Sequence, residues 1–87
     1  MIIDYFIPEP LIVIKPIKVE QWTRGKTYYA TFKEANISSG GETLDEAMRN
    51  VAELIACHYE YMTKNEERLG PALKKTLSVL REYIRTN

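Results

Sequence analysis

The chain is predicted to adopt an α+β fold: an antiparallel sheet of about three strands, a long helix packed on it, and a second helix, in β-β-β-α-α order. Three observations predict it. Residues 27–34 alternate in polarity at the period of a strand. Thr43 and Glu46 stand at capping-box spacing before a long stretch of helical periodicity. Gly70 and Pro71 then separate two apolar helical stripes, a stop followed by a good first residue for a new helix.

The elements follow in order. Residues 2–7 alternate weakly and end at Pro8 and Pro10, which suits a short strand or an arm laid on a neighbour. Residues 11–20 are rich in β-branched side chains and form the first strand, with Leu11, Val13, Ile17 and Val19 on one face. Pro16 cannot donate to a ladder, so this strand lies at an edge or breaks there. Residues 23–26, with Gly25, are the hairpin turn, and Trp22 is expected to cover the open end of the sheet. In the next strand Tyr28, Ala30 and Phe32 face one way and Tyr29, Thr31 and Lys33 the other. That alternation buries Tyr28 and Phe32. Residues 37–39 make a short third strand, and Gly40 and Gly41 supply positive-φ freedom at the turn into the helix.

The first helix runs from about Leu44 to about Glu67, with Leu44, Met48, Val51, Ile55, Tyr59 and Met62 as its apolar stripe. Ala47, Ala52 and Ala56 flank the stripe and permit close approach to a sheet. Arg49 with Glu53, and Glu60 with Lys64, have i,i+4 spacing. The second helix runs from Pro71 to about Arg85, with the stripe Leu73, Leu77, Leu80 and Ile84. The division of the single domain is thus an arm over 1–10, sheet over 11–41, the long helix with its flanks over 43–69, and the C-terminal helix over 71–86. Two apolar helices on one small sheet leave the second in need of a further partner, and much of it is expected to pack on another chain.

Size and charge narrow the function classes. At 87 residues there is room for one core, and a chain this small is marginal alone. The single Cys57 excludes an internal disulfide, and no Cys/His pair has metal-ligand spacing. Self-association is therefore expected, as a dimer or tetramer, through Ile3, Tyr5, Leu73, Leu77, Leu80 and Ile84. Twelve basic and twelve acidic residues cancel, which removes the overall electrostatic footprint of a nucleic-acid binder. The spread is uneven: residues 42–60 hold five acids and one base, residues 64–85 six bases and three acids. Two solvated helix faces of opposite sign account for that. The longest apolar run is too short to cross a membrane, and the N-terminus has no signal-peptide pattern, so a cytoplasmic protein with reduced Cys57 is expected.

Catalytic signals are few. His58 is the sole histidine. Adjacent to Cys57 on a helix, it diverges from it by about 100° and forms no nucleophile–base pair. Cys57 reads as a small buried hydrophobe. Glu42, Asp45, Glu46 and Glu53 suit a helix N-terminus, where the macrodipole favours acids, without a metal. The Gly-Gly turn before that helix is crowded by the same acids, which oppose a bound phosphate. The strand aromatics could stack bases only if exposed beside basic groups, and the alternation leaves mainly Tyr29 outside. Strand acids are only Glu20 and Glu34. No catalytic residue, cofactor or metal is expected.

The wording of residues 28–50 also resembles a known family. An aromatic-Ala-x-Phe strand (Tyr29, Ala30, Phe32), a turn into a helix (Gly41, Glu42, Thr43, Leu44, Glu46, Ala47) and a following Asn50 resemble the HicB-like antitoxins. The family's proline-bearing loop after the second strand is replaced here by Phe32, Lys33, Glu34, Ala35, Asn36 and Ile37. The resemblance implies a partial RNase H-like sheet and a protein that binds and occludes a small basic ribonuclease toxin of HicA type. The acidic face of the first helix suits such a partner, with Glu53 and Glu60 as its candidate contacts. Antitoxins of this family often carry an extra DNA-binding domain, for which these 87 residues are expected to leave no room. DNA binding through Lys74, Lys75, Arg81 and Arg85 would need an oligomer and is not expected. The competing expectation is a stand-alone homo-oligomer of the same fold with no toxin and no catalysis.

Overall fold

A computed structural model describes residues 2–86, the Tyr5 side chain excepted. The element order is β1 (Leu11–Val13), β2 (Glu20–Arg24), β3 (Thr27–Phe32), β4 (Ile37–Gly41), α1 (Leu44–Lys64), α2 (Pro71–Tyr83) and β5 (Ile84–Thr86), with single 3-10 turns at Asp4–Phe6, Lys33–Ala35 and Glu66–Arg68. The fold is α+β, and β2, β3 and β4 form a three-stranded antiparallel sheet in that order.

The hairpin has a local cause. Gly25 takes φ 62°, the sign that a type II′ turn needs at its first central residue, and the two-residue turn pairs Arg24 with Thr27. The next connection is a 3-10 turn at Lys33–Ala35, closed by Asn36 in the left-handed region at φ 54°, ψ 46°. Asparagine tolerates that conformation better than most side chains.

Two boundaries differ from expectation. The first strand of the hairpin is Glu20–Arg24, and the stretch predicted as one strand breaks after Val13. Beyond the break, the N–H groups of Ile14 and Lys15 both donate to the carbonyl of Tyr83. Meanwhile β1 pairs antiparallel with β5, Val13 opposite Ile84 and Leu11 opposite Thr86. Pro16 lies in the irregular link that follows.

α1 begins where the sequence places it. Thr43 is extended, and its Oγ1 accepts from the Glu46 N–H at 3.1 Å. Only this half of the box forms among the described residues. The Arg49 guanidinium pairs with Asp45 at 2.9 Å rather than with Glu53, so the acid lies N-terminal to the base, the favoured order. Glu60 and Lys64 form no ion pair. Replacing Thr43 with Ala removes the cap and should cost about 1 kcal/mol; an unchanged urea midpoint would show that the cap contributes nothing.

α1 lies across β3 and β4 on one face of the sheet. Met48, Val51, Ile55, Tyr59 and Met62 are buried with Ala47, Ala52 and Ala56. The helix stops at Lys64, ahead of the predicted end, and a 3-10 turn leads to Gly70. Pro71 occupies the first turn of α2, where its missing N–H costs nothing. A forked ion pair ties that 3-10 turn to α2: Arg81 Nη2 and Nη1 donate to the Glu66 carboxylate at 2.6 and 3.0 Å. This fork holds the Glu66 carboxyl below its ordinary range.

α2 packs on its own chain, against α1 and the Lys33–Ala35 turn. Leu77, Leu80 and Tyr83 are buried, and the Tyr83 ring meets Phe32 edge-on at 5.0 Å. The sequence placed much of this helix on another chain; within this chain Leu77, Leu80 and Ile84 of its stripe are already buried, and Leu73 stays exposed. β5 pulls the C-terminus back onto β1, and this closes the core without a second chain.

The N-terminal arm also belongs to this core. Ile3 is fully buried, its N–H donates to the Ile17 carbonyl at 3.1 Å, and Asp4 Oδ1 accepts from the Ile17 N–H at 2.9 Å. Ile2 bridges Lys18.

Candidate functional site

Both helices and the arm sit so as to leave two surfaces open: the far side of α1 and the uncovered face of the three-stranded sheet.

On α1, Glu53 and Glu60 are exposed, and neither joins an ion pair among the described residues. Seven residues apart, they stand two turns from one another on one side of the helix, about 10 Å along its axis. Tyr61 lies beside them with 62% of its surface exposed, and Cys57 is exposed between them. That corrects the reading of Cys57 as buried: the stripe Met48–Ile55–Met62 faces the sheet, and Cys57 falls on the opposite side. His58 is half-buried, and its Nδ1 donates to the Leu54 carbonyl at 2.7 Å, so the ring lies along its own helix. The surface combines two carboxylates, a phenol and partly exposed Leu54.

The sheet's open face carries Glu20, Trp22 and Arg24 of β2, Thr27, Tyr29 and Thr31 of β3, and Ser38 and Gly40 of β4, as the pairing register dictates. Trp22 is a member of β2 rather than a cover for the end of the sheet. It stacks on Tyr29, the register partner opposite, with centroids 4.1 Å apart and planes 10° from parallel. A hydroxyl relay runs beneath. Trp22 Nε1–H donates to Thr31 Oγ1 at 3.1 Å, Thr31 and Ser38 hydroxyls share a 2.8 Å bond, and Ser38 donates to the Ala30 carbonyl at 3.3 Å. Lys33 pairs with Glu20 at 2.9 Å on the same side. Sequence reasoning missed this face. The signal was present as two matched alternations, Glu20-Trp22-Arg24 and Thr27-Tyr29-Thr31, but Trp22 was placed outside the strand.

Tyr28 is also more open than its alternation implies. It shares the inner face with Ala30 and Phe32, but it lies opposite Thr23 and Gly41, near the hairpin end, and is 39% exposed.

The residues expected to join chains are mostly spent inside this one. Ile3, Leu77, Leu80 and Ile84 are buried in the chain's own core, Ile84 as part of β5, and present no surface to a partner. Leu73 remains exposed, and the Tyr5 side chain lies outside what is described.

Two residues of the resembling stretch have structural duties. Asn50 Nδ2 donates to the Gly40 carbonyl at 2.9 Å, tying α1 to strand β4. Gly41 sits where an added Cβ would lie 2.8 Å from the Ala47 backbone nitrogen.

An open cleft of about 1010 Å³ separates the end of α1 from α2, lined by Thr63, Glu66, Arg68, Lys74 and Arg81 among others. Its best anion-binding group, the Arg81 guanidinium, is already held by Glu66. Among the described residues, no group of three His, Cys, Asp or Glu is placed to hold a metal, and no helix is long and apolar enough to cross a membrane. No family model, curated protein or solved structure matches this chain.

Proposed function

We propose that this chain is a non-catalytic binding protein of the HicB-like antitoxin kind, acting in the cytoplasm, which occludes a small basic ribonuclease of HicA type with the outer face of α1. The observation that carries this reading is the pair of unneutralised carboxylates, Glu53 and Glu60, two turns apart and flanked by exposed Tyr61. The resemblance of residues 28–50 supplies the partner class. Charges of this sort steer encounter and orient a basic partner, while Tyr61 and Leu54 supply apolar area. The lone exposed thiol of Cys57 is in keeping with a reducing compartment.

Light scattering with and without the basic product of an adjacent gene tests the reading. A stable mixed complex is expected. Reversing both Glu53→Lys and Glu60→Lys turns two attractions into repulsions and should weaken the complex about tenfold or more, given the usual worth of exposed pairs. Affinity unchanged by the double reversal would remove α1 as the docking face, and no complex at all would remove the antitoxin reading.

A further inference from the structure

The edge strand β2 has a composition that matches itself. Its five residues are Glu20, Gln21, Trp22, Thr23 and Arg24, and all five are exposed. β2 stands at one end of the sheet order, next to β3 alone. Opposite charges sit at its two ends, each two residues from a central tryptophan.

We propose that β2 is a homodimer interface: two copies of this chain meet edge to edge, antiparallel, about a two-fold axis passing through Trp22. In that register Glu20 lies opposite Arg24 of the second copy, and Arg24 opposite its Glu20. Trp22 lies opposite its own symmetry mate, with the Cβ atoms of such a pair about 5 Å apart. The result is one six-stranded sheet. An isologous contact of this kind requires a self-complementary patch, and a strand whose charges are inverted about its centre is one.

Three observations favour a second copy over other occupants. Arg24 is exposed and makes no ion pair among the described residues, so its guanidinium is available to a carboxylate of a second copy. Trp22 is 45% exposed although it is already stacked on Tyr29 on one side, and the opposed tryptophan covers part of the remainder. The open face carries Lys33 and Arg24 against Glu20, and a single net positive charge is a weak footprint for a polyanion. Surface charges of this type choose register and partner more than they add affinity, and a contact of five residues a side is small. Self-association is therefore weak and concentration-dependent. This interface is separate from the outer face of α1 and does not depend on the antitoxin reading.

Trp22 is the sole tryptophan, so its emission reports on this strand. Sedimentation velocity and Trp22 fluorescence over a concentration series test the proposal on the full chain. The wild-type protein should dimerise, with emission moving to shorter wavelength as it does so. Arg24→Glu sets like charges opposite one another and should weaken the dimer about tenfold, as should Glu20→Arg. The double variant Glu20→Arg/Arg24→Glu restores opposite charges and should recover the dimer. An equimolar mixture of the two single variants should form a mixed dimer, one strand all acidic and the other all basic. Circular dichroism establishes that each variant is folded. A monomer at every concentration would overturn the proposal. So would a dimer indifferent to either reversal or not recovered by the double variant. Quenching of Trp22 by a short single-stranded oligonucleotide, with the protein still monomeric, would overturn it in favour of a nucleic-acid platform.

Discussion

Leu80→Ala should destabilise the protein by about 2–5 kcal/mol, the range for removing a large aliphatic side chain from a closed core. Leu80 is fully buried, on the face of α2 that meets α1 and the Lys33–Ala35 turn. Its neighbours along the helix, Leu77 and Tyr83, are buried with it, so the site cannot collapse without moving α2 off Phe32. A domain of this size has a total stability of roughly 5–15 kcal/mol, and the change would remove a large share of it. The expected loss appears in urea unfolding and is independent of protein concentration. A side chain serving only a subunit contact would instead leave the monomer's midpoint intact and make the loss depend on concentration, and that outcome would contradict the packing described here. Leu73→Ala is the control. With 44% of its surface exposed at the start of α2, Leu73 should shift stability by no more than about 0.5 kcal/mol.

Gly41→Ala is expected to cost about 1–3 kcal/mol, the range for forcing an extra methyl group into a packed site. Gly41 ends β4, two residues before the cap of α1. A Cβ there would stand 2.8 Å from the Ala47 backbone nitrogen and 2.9 Å from Glu46 Cβ. Neither atom belongs to the far end of a flexible side chain, so the helix itself must retreat from the strand. Replacing glycine with alanine also restricts the unfolded chain, which returns about 0.4–1 kcal/mol. The steric term is the larger, and the net sign is a loss. Gly40→Ala should cost less. The nearest atoms to its added Cβ, at 2.9 and 3.0 Å, belong to the Tyr29 ring, which can tilt. That tilt would disturb the stack with Trp22, so Gly40→Ala should alter tryptophan emission more than it alters stability. Equal or greater stability in Gly41→Ala, measured by urea unfolding, would mean that the close approach of β4 and α1 is dispensable.

The two glycines show how local reasoning reaches a correct position for an incorrect cause. Adjacent glycines between a strand and a helix suggest freedom for positive φ at the turn. Among the described glycines only Gly25 has it, and Gly40 and Gly41 are extended residues of β4. They are small because α1 and the Tyr29 ring lie against them, and both neighbours are known only once the chain has folded. Asn50 is a similar case. Its spacing after the cap was visible, but its bond to the Gly40 carbonyl depends on where α1 crosses β4. At the α1 face, the exposure of Glu53 and Glu60 agrees with the helical period, while Tyr61 and Cys57 as their neighbours do not stand out in a linear pattern.

By itself the sequence determined the α+β class, the hairpin at Gly25, the cap at Thr43, the buried stripe of α1 and the start of α2 at Pro71. Each rests on residues within a turn or two of one another, where backbone sterics, capping and side-chain periodicity act directly. The tertiary structure decided the rest: the arm folded onto Ile17, the pairing of β1 with β5, the burial of α2 by its own chain and the open aromatic face of the sheet. These features join residues far apart in the chain, and several apolar stripes compete for one small sheet. Which stripe closes the core and which surface stays open is settled by the geometry of all the elements together, above all by β5 pairing with β1 and holding α2 in place.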